Sequence, residues 1–365
     1  MDGQKKNRFI CALFALLFAA GFFLCAFFPK ARHSESERRA LASLPNLSAE
    51  SVWNGRFMSE FETYAADTFP FRDTFRKIQS AAAFHIFLRK DNHGIYKTEG
   101  FLSAMEYPFH ETSLNRAAEK IRSICETYLT SENRVFLSVI PDKNCFLAKE
   151  SGHLSMDYAE FEEKTARKAG FAEYIKISDL LERDDFYKTD AHWRQERITD
   201  VAERLAQTMG TDISKEYKIH TLQKDFYGAY YGQAALSAAP DKIQYLTNDA
   251  IDGCIVYDWE NEKEIPVYNM ERAMGRDPYE MFLSGSISLL TIENPDASST
   301  KRLVMFRDSF GSGIAPLLIE AYSRIDLVDT RYIQPDFLER FIDFQSCDVL
   351  FLYSTLTLNH SETLK

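Results

Sequence analysis

The chain has 365 residues, 45% hydrophobic and 27% charged, which excludes disorder and collagen-like repeats and fits one large globular domain or two ordinary ones. Its 54 acidic residues outweigh 43 basic ones for a formal net charge of −11, with no basic stripe, so nucleic acid is not expected as a partner. Six cysteines without a CxxC pair write neither a disulfide scaffold nor a zinc or thioredoxin-type centre, and no metal or cofactor is expected.

Residues 1–8 carry Lys5, Lys6 and Arg8 and read as a cytoplasmic tail by the positive-inside tendency. Phe9 to Phe28 follows without a charged residue, and at 1.5 Å per residue it is long enough to cross about 30 Å of hydrocarbon. The sequence therefore predicts a single-pass signal anchor in the cell membrane, with the rest of the chain extracytoplasmic. A cleaved signal peptide is the competing reading. Its apolar core would run about 7–15 residues to a small-x-small site, whereas Phe22, Phe23, Leu24, Phe27 and Phe28 keep this segment bulky to its end.

Residues 29–50, with Lys30, Arg32, Arg38 and Arg39, read as a linker, and residues 51–365 as one extracytoplasmic domain. Between Val52 and Leu88 apolar residues recur at helical spacing with a break at Pro70, which predicts two helices and a bend. Gly94 to Leu102 suggests a short hairpin. Leu114, Ala117, Ile121, Ile124 and Tyr128 line one face of a helix, and the apolar run Val135 to Ile140 has the pattern of a strand buried on both faces. Helix Tyr158–Lys168, strand Tyr174–Ile177 and a helix from Arg194 to Met209 follow. The stretch 223–290, rich in Gly, Tyr, Asp and Asn, reads as an insertion of loops and short strands. Three more strand-like runs, Arg302–Phe306, Ile325–Val328 and Val349–Tyr353, alternate with helical stretches, so the fold class is α/β with a mostly parallel sheet flanked by helices. The spacing of Cys125, Cys145, Cys254 and Cys347 names no disulfide pairing.

Two clusters carry chemistry. Ser309 follows a strand and precedes a helix, a turn that exposes its hydroxyl at the carboxyl end of the sheet beside the free N–H groups of a helix N-terminus. The bland alternative is a helix N-cap. A serine needs a base to take its proton and a carboxylate to orient that base, and Asp190 and His192 supply such a pair two residues apart. The alternative there is a helix cap at Thr189 or Asp190 and an incidental histidine.

The segment Thr189-Asp190-Ala191-His192-Trp193, with Arg302–Gly311 and Ile325–Tyr332, resembles the DHHW protein family, which is similar to the AlgJ/AlgX-type alginate O-acetyltransferases with their SGNH-hydrolase-like fold. Asp67–Asp73 is similar to the family's D-x-F-P-x-R-D element and Lys97–Leu102 to its K-x-G-W/F-L turn, while Pro141-Asp142-Lys143 and Phe226–Tyr231 fall in the expected order. The resemblance spans roughly residues 50 to 355. It implies Ser309 as nucleophile, His192 as general base and Asp190 as its orienting carboxylate, with the Asp-x-His element ahead of the serine block as in the AlgJ/AlgX type. Two positions depart from the family pattern: Ala191 stands where a second histidine is usual, and Ser286 in Phe282-Leu283-Ser284-Gly285-Ser286 replaces an asparagine able to help bind an oxyanion. Arg307, Lys143, Arg331 and Tyr332 follow or end strand-like runs and are further candidates for binding a polyol or carboxylated sugar. The aromatic run Phe226–Tyr231 is a candidate for stacking on sugar rings.

The resemblance implies an O-acetyltransferase acting on hydroxyls of a cell-surface polysaccharide, served by a membrane-bound O-acyltransferase that supplies acyl groups. Two alternatives stand beside it: a carbohydrate acetylesterase with the same residues, and a non-catalytic glycan-binding or scaffold protein of the envelope.

Overall fold

A computed structural model describes residues 3–34 and 36–365. The chain divides into two compact units, Met1–Asn92 with Gly232–Ser237, and His93–Tyr231 with Ala238–Lys365.

In the first unit, helix Gly3–Phe27 contains one stretch, Gln4–Phe27, long and apolar enough to cross a membrane, with mean hydropathy 2.6. Three helices follow, Ala49–Trp53, Arg56–Asp67 and Arg72–His85. Ser48 caps the first, accepting from the Ser51 N–H while Ser51 accepts from the Ser48 N–H. Pro70 separates the other two, as its missing N–H requires. The buried Asp67 carboxylate accepts a fork of two bonds from Arg39, at 2.6 and 2.8 Å, and one from the Ala42 N–H. Glu37 pairs with Arg72 and Arg76, so the segment read as a linker is tied down by charge.

The second unit is built on an eight-stranded sheet: β1 (Arg134–Ile140), β2 (Glu173–Tyr174), β3 (Ile255–Asp258), β4 (Lys263–Ile265), β5 (Leu289–Glu293), β6 (Arg302–Arg307), β7 (Arg324–Val328) and β8 (Asp348–Ser354). Their order is β4-β3-β5-β7-β6-β8-β1-β2. From β7 to β2 every neighbour pair is parallel, whereas β5 runs antiparallel to both β7 and β3, and β3 pairs antiparallel with β4. The central strands are continuous apolar runs because both faces are covered. Leu303, Met305, Leu350 and Leu352 pack with helices Thr199–Thr208 and Gly311–Leu318, while Val304, Phe306, Val349 and Phe351 pack with helices Glu111–Tyr128 and Tyr158–Lys168.

Three expectations shift. The strand expected at Tyr174–Ile177 pairs only over Glu173–Tyr174, at the sheet's outer edge. The helix expected from Arg194 begins as a short 3₁₀ turn, Gln195–Arg197, and becomes α-helical at Thr199. Within 223–290, β3 and β4 extend the main sheet, and Lys218–Phe226 forms a hairpin with Asp241–Thr247. These strands are short or half-exposed, which erases the apolar run that marks a buried strand. All six cysteines are free.

Candidate active site

Asp190 and His192 ride on a loop between Phe186 and Trp193, closed by the Tyr187 N–H donating to the His192 carbonyl. The loop is folded around a cation. Lys143, just past the carboxyl end of β1 and fully buried, donates from Nζ to the carbonyls of Tyr187 (2.7 Å), Asp190 (2.6 Å) and Lys188 (3.2 Å). Burial pushes its amine down to about 7, against the pull of the Asp190, Asp241 and Asp142 carboxylates. From outside, Asp241 accepts from the N–H groups of Lys188 and Thr189 and from the Thr189 hydroxyl.

Asp190 is buried and its two oxygens are divided. Oδ1 lies 2.5 Å from His192 Nδ1, and Oδ2 accepts from the Ala229 N–H at 2.7 Å. The backbone at Gly228 passes so close that a Cβ there would stand 2.3 Å from Asp190 and Thr189 atoms, which only glycine avoids. The other imidazole nitrogen, His192 Nε2, lies 2.8 Å from Ser309 Oγ. An unbroken hydrogen-bonded chain therefore runs Asp190–His192–Ser309, with Asp190 buried, His192 mostly so and Ser309 half-buried.

Ser309 is not a helix cap. The helix after it, Gly311–Leu318, has Phe310 at the cap position and no side-chain cap bond. The buried Asp308 does the local bonding instead, its Oδ1 accepting from the Phe310 N–H and its Oδ2 from the N–H and hydroxyl of Ser354 and the hydroxyl of Thr357, at the carboxyl end of β8. The Gly311 N–H goes to the Asp308 carbonyl. The helix N-terminus thus offers fewer free donors than the sequence suggests, while among the described residues the Ser309 N–H makes no hydrogen bond. Trp193 Nε1 donates to the Phe310 carbonyl and Gln195 Nε2 to the Gly313 carbonyl, pinning the histidine loop against the serine turn. Tyr279 stacks on the His192 ring at 3.9 Å and 13°. It lies in the stretch read as loops, and no periodicity in the sequence marks it.

The chain has the fold of a DHHW family protein. The crystal structure of one from Eubacterium siraeum matches with a TM-score of 0.59 at 19% identity, covering 74% of this chain and 93% of that one. Bacillus cereus PatB1 matches with a TM-score of 0.57 at 17% identity, over 72% of this chain and 96% of its own. The O-acetyltransferase domain of Pseudomonas putida AlgJ gives 0.45 at 13% identity, over 73% and 92%. At such identities the likeness is one of fold. No protein-family model and no curated protein matches the sequence.

The remaining predicted site residues are placed differently from expectation. Lys143 lines no crevice, since its amine is spent inside the loop it organises. Arg307 is fully buried, 3.6 Å from Asp329, where the sheet interior needs the charge neutralised. Arg331 grips the same Asp329 with two bonds of 2.6 and 2.9 Å, so both guanidiniums are already paired with a carboxylate. Tyr332 is half-exposed and remains open to a ligand. Ser286 is exposed at the end of a turn in which Leu283, Ser284 and Gly285 all have positive φ, and no hydrogen bond joins it to Ser309. That turn reaches the site through Phe282, packed on Tyr279 at 5.1 Å. In the run Phe226–Tyr231, Phe226 and Tyr230 are buried and the backbone between them holds Asp190; Tyr227 is the exposed ring.

Proposed function

We propose that this protein is a membrane-anchored extracytoplasmic O-acetyltransferase in which Ser309, His192 and Asp190 act as a catalytic triad. The observation that carries this reading is the position of the imidazole, with Nε2 2.8 Å from the Ser309 hydroxyl and Nδ1 2.5 Å from the Asp190 carboxylate. That is the relation in which a histidine takes a serine proton and its cation is stabilised. Ser309 Oγ attacks the carbonyl of an acyl donor while its proton moves to Nε2. The tetrahedral intermediate collapses, the leaving group takes that proton, and an acetyl ester stays on Ser309. A sugar hydroxyl then gives its proton to Nε2 and attacks the ester; the second tetrahedral intermediate collapses to release the acetylated sugar, and Nε2 returns the proton to the departing Ser309 Oγ. The unbonded Ser309 N–H is the donor this chain offers to the oxyanion.

The motifs shared with the DHHW family support an acetyl group and a polysaccharide acceptor, and the apolar helix Gly3–Phe27 supports an anchor with the site outside. A membrane-bound O-acyltransferase fits as the source of acyl groups. The reading also draws on one further match, a structure of Bacillus cereus PatB1 carrying a sulfonyl adduct, at a TM-score of 0.52 and 19% identity.

Transfer is tested by giving the acetylated protein a panel of oligosaccharides and following ester loss and product mass. Acetylated sugar is expected. Ester loss to water alone, unaffected by any sugar, identifies an esterase instead, and an inert protein points to a scaffold.

A further inference from the structure

Helix Arg72–His85 has two opposed stripes. Arg76 donates to the carbonyls of Gly232 and Gln233, Ser80 donates to the carbonyl of Ala234, and Ala83 is buried, so this side is packed within the first unit. On the other side Phe71, Phe75 and Ile78, spaced i, i+4, i+7, are exposed by 58%, 53% and 58%. Water-facing apolar side chains at this spacing are unusual on a helix whose other face is already satisfied.

The occupant is indicated by where the stripe begins. Phe28 continues the apolar span by one residue, its N–H donating to the Leu24 carbonyl, and its ring packs on Phe71 at 5.2 Å. The apolar face of helix Arg72–His85 therefore starts against the end of the segment long enough to cross a bilayer. Lys30 and Arg32 follow the span at the level where basic side chains meet headgroups. We propose that Phe71, Phe75 and Ile78 insert into the outer surface of the lipid bilayer, so that helix Arg72–His85 lies in the interface beside the anchor. An interfacial helix buries its apolar face about 5–10 Å into the headgroup and acyl boundary. The proposal rests on the anchoring reading above.

The test uses the full chain in lipid nanodiscs, with Trp53→Phe removing the exposed native indole and leaving Trp193 and Trp259 as a constant background. Phe75→Trp, Ile78→Trp and, on the polar side of the helix, Lys77→Trp are then compared in discs of ordinary lipid and of lipid brominated on the upper acyl chain. The substituted side chains are exposed, so the fold is undisturbed. Loss of emission in the brominated discs is expected for Phe75→Trp and Ile78→Trp, with none beyond background for Lys77→Trp. A chain retained in the disc with no loss at positions 75 and 78, as a protein partner on this face would give, overturns the proposal. So does equal loss at all three. Failure of the disc to retain the chain overturns the anchoring reading itself, and the proposal with it.

Discussion

Asp190 and His192 keep their geometry because a buried ammonium holds the carbonyls of their loop from within while Asp241 holds its amides from outside. Replacing Lys143 with Met leaves the Tyr187 and Asp190 carbonyls without a donor, at a stability cost of about 1–3 kcal/mol for such groups. The loop then loses its centre, and a displacement approaching 1 Å at a reacting group costs up to about 100-fold in rate. Lys143→Met is therefore expected to lower kcat about 10–100-fold on an activated ester with KM little changed; steady-state kinetics at fixed pH checks this, and an unchanged kcat would contradict it. Gly228→Ala is expected to be harsher still, since its Cβ would stand 2.3 Å from Thr189 and Asp190. Loss of both soluble yield and ester turnover is the expected outcome. The pair Asp190 and His192 was legible in the sequence because the two groups stand two residues apart inside the segment Thr189–Trp193 that resembles the DHHW family. The position of Lys143 after a strand is visible in the sequence, but the loop folded over it comes from 44 residues further along the chain. Tyr279 and the bonding of Asp308 to Ser354 and Thr357 are likewise products of tertiary contact.

The helices Arg56–Asp67 and Arg72–His85 follow from Phe57, Phe61 and Tyr64 at helical spacing and from the break at Pro70. What fastens them is long-range charge, which periodicity does not reveal. The Arg39 fork, with the Ala42 N–H and Arg72, holds the Asp67 carboxyl down to about 2 from an ordinary 3.8. A carboxylate with a lowered folded-state pKa contributes stability that is fully present above its unfolded pKa and is lost as pH falls from about 4 towards 2. Because Arg39 is partly in water, the contribution is expected to be about 1–2 kcal/mol. Helical signal and proteolysis of the first unit, followed between pH 5 and 2, should show that loss in the parent chain and a flatter profile in Asp67→Asn. Identical profiles would assign the acid sensitivity elsewhere.

Across the molecule, the parallel half of the sheet could be read from Val135–Ile140, Arg302–Phe306, Ile325–Val328 and Val349–Tyr353, because strands covered on both faces must be apolar throughout. The antiparallel extension was not: β3 and β4 are short outer strands that keep polar residues, and β5, though buried, is only five residues long. The division into two units was not either: Gly232–Ser237 joins the first unit from deep within the sequence of the second. Every residue in the Asp190–His192–Ser309 chain belongs to the second unit, so removing residues 1–28 is expected to leave the labelling rate of Ser309 unchanged within about twofold, comparable to the tenths of a kcal/mol by which independent sites couple. The most direct measurement is the intact mass of the protein after exposure to an activated acetyl ester, beside Ser309→Ala and His192→Ala. One acetyl group on the parent, none on Ser309→Ala and strongly slowed addition on His192→Ala is the expected result. An adduct that persists in Ser309→Ala, or a parent protein that never acquires one, would contradict a serine nucleophile at this site.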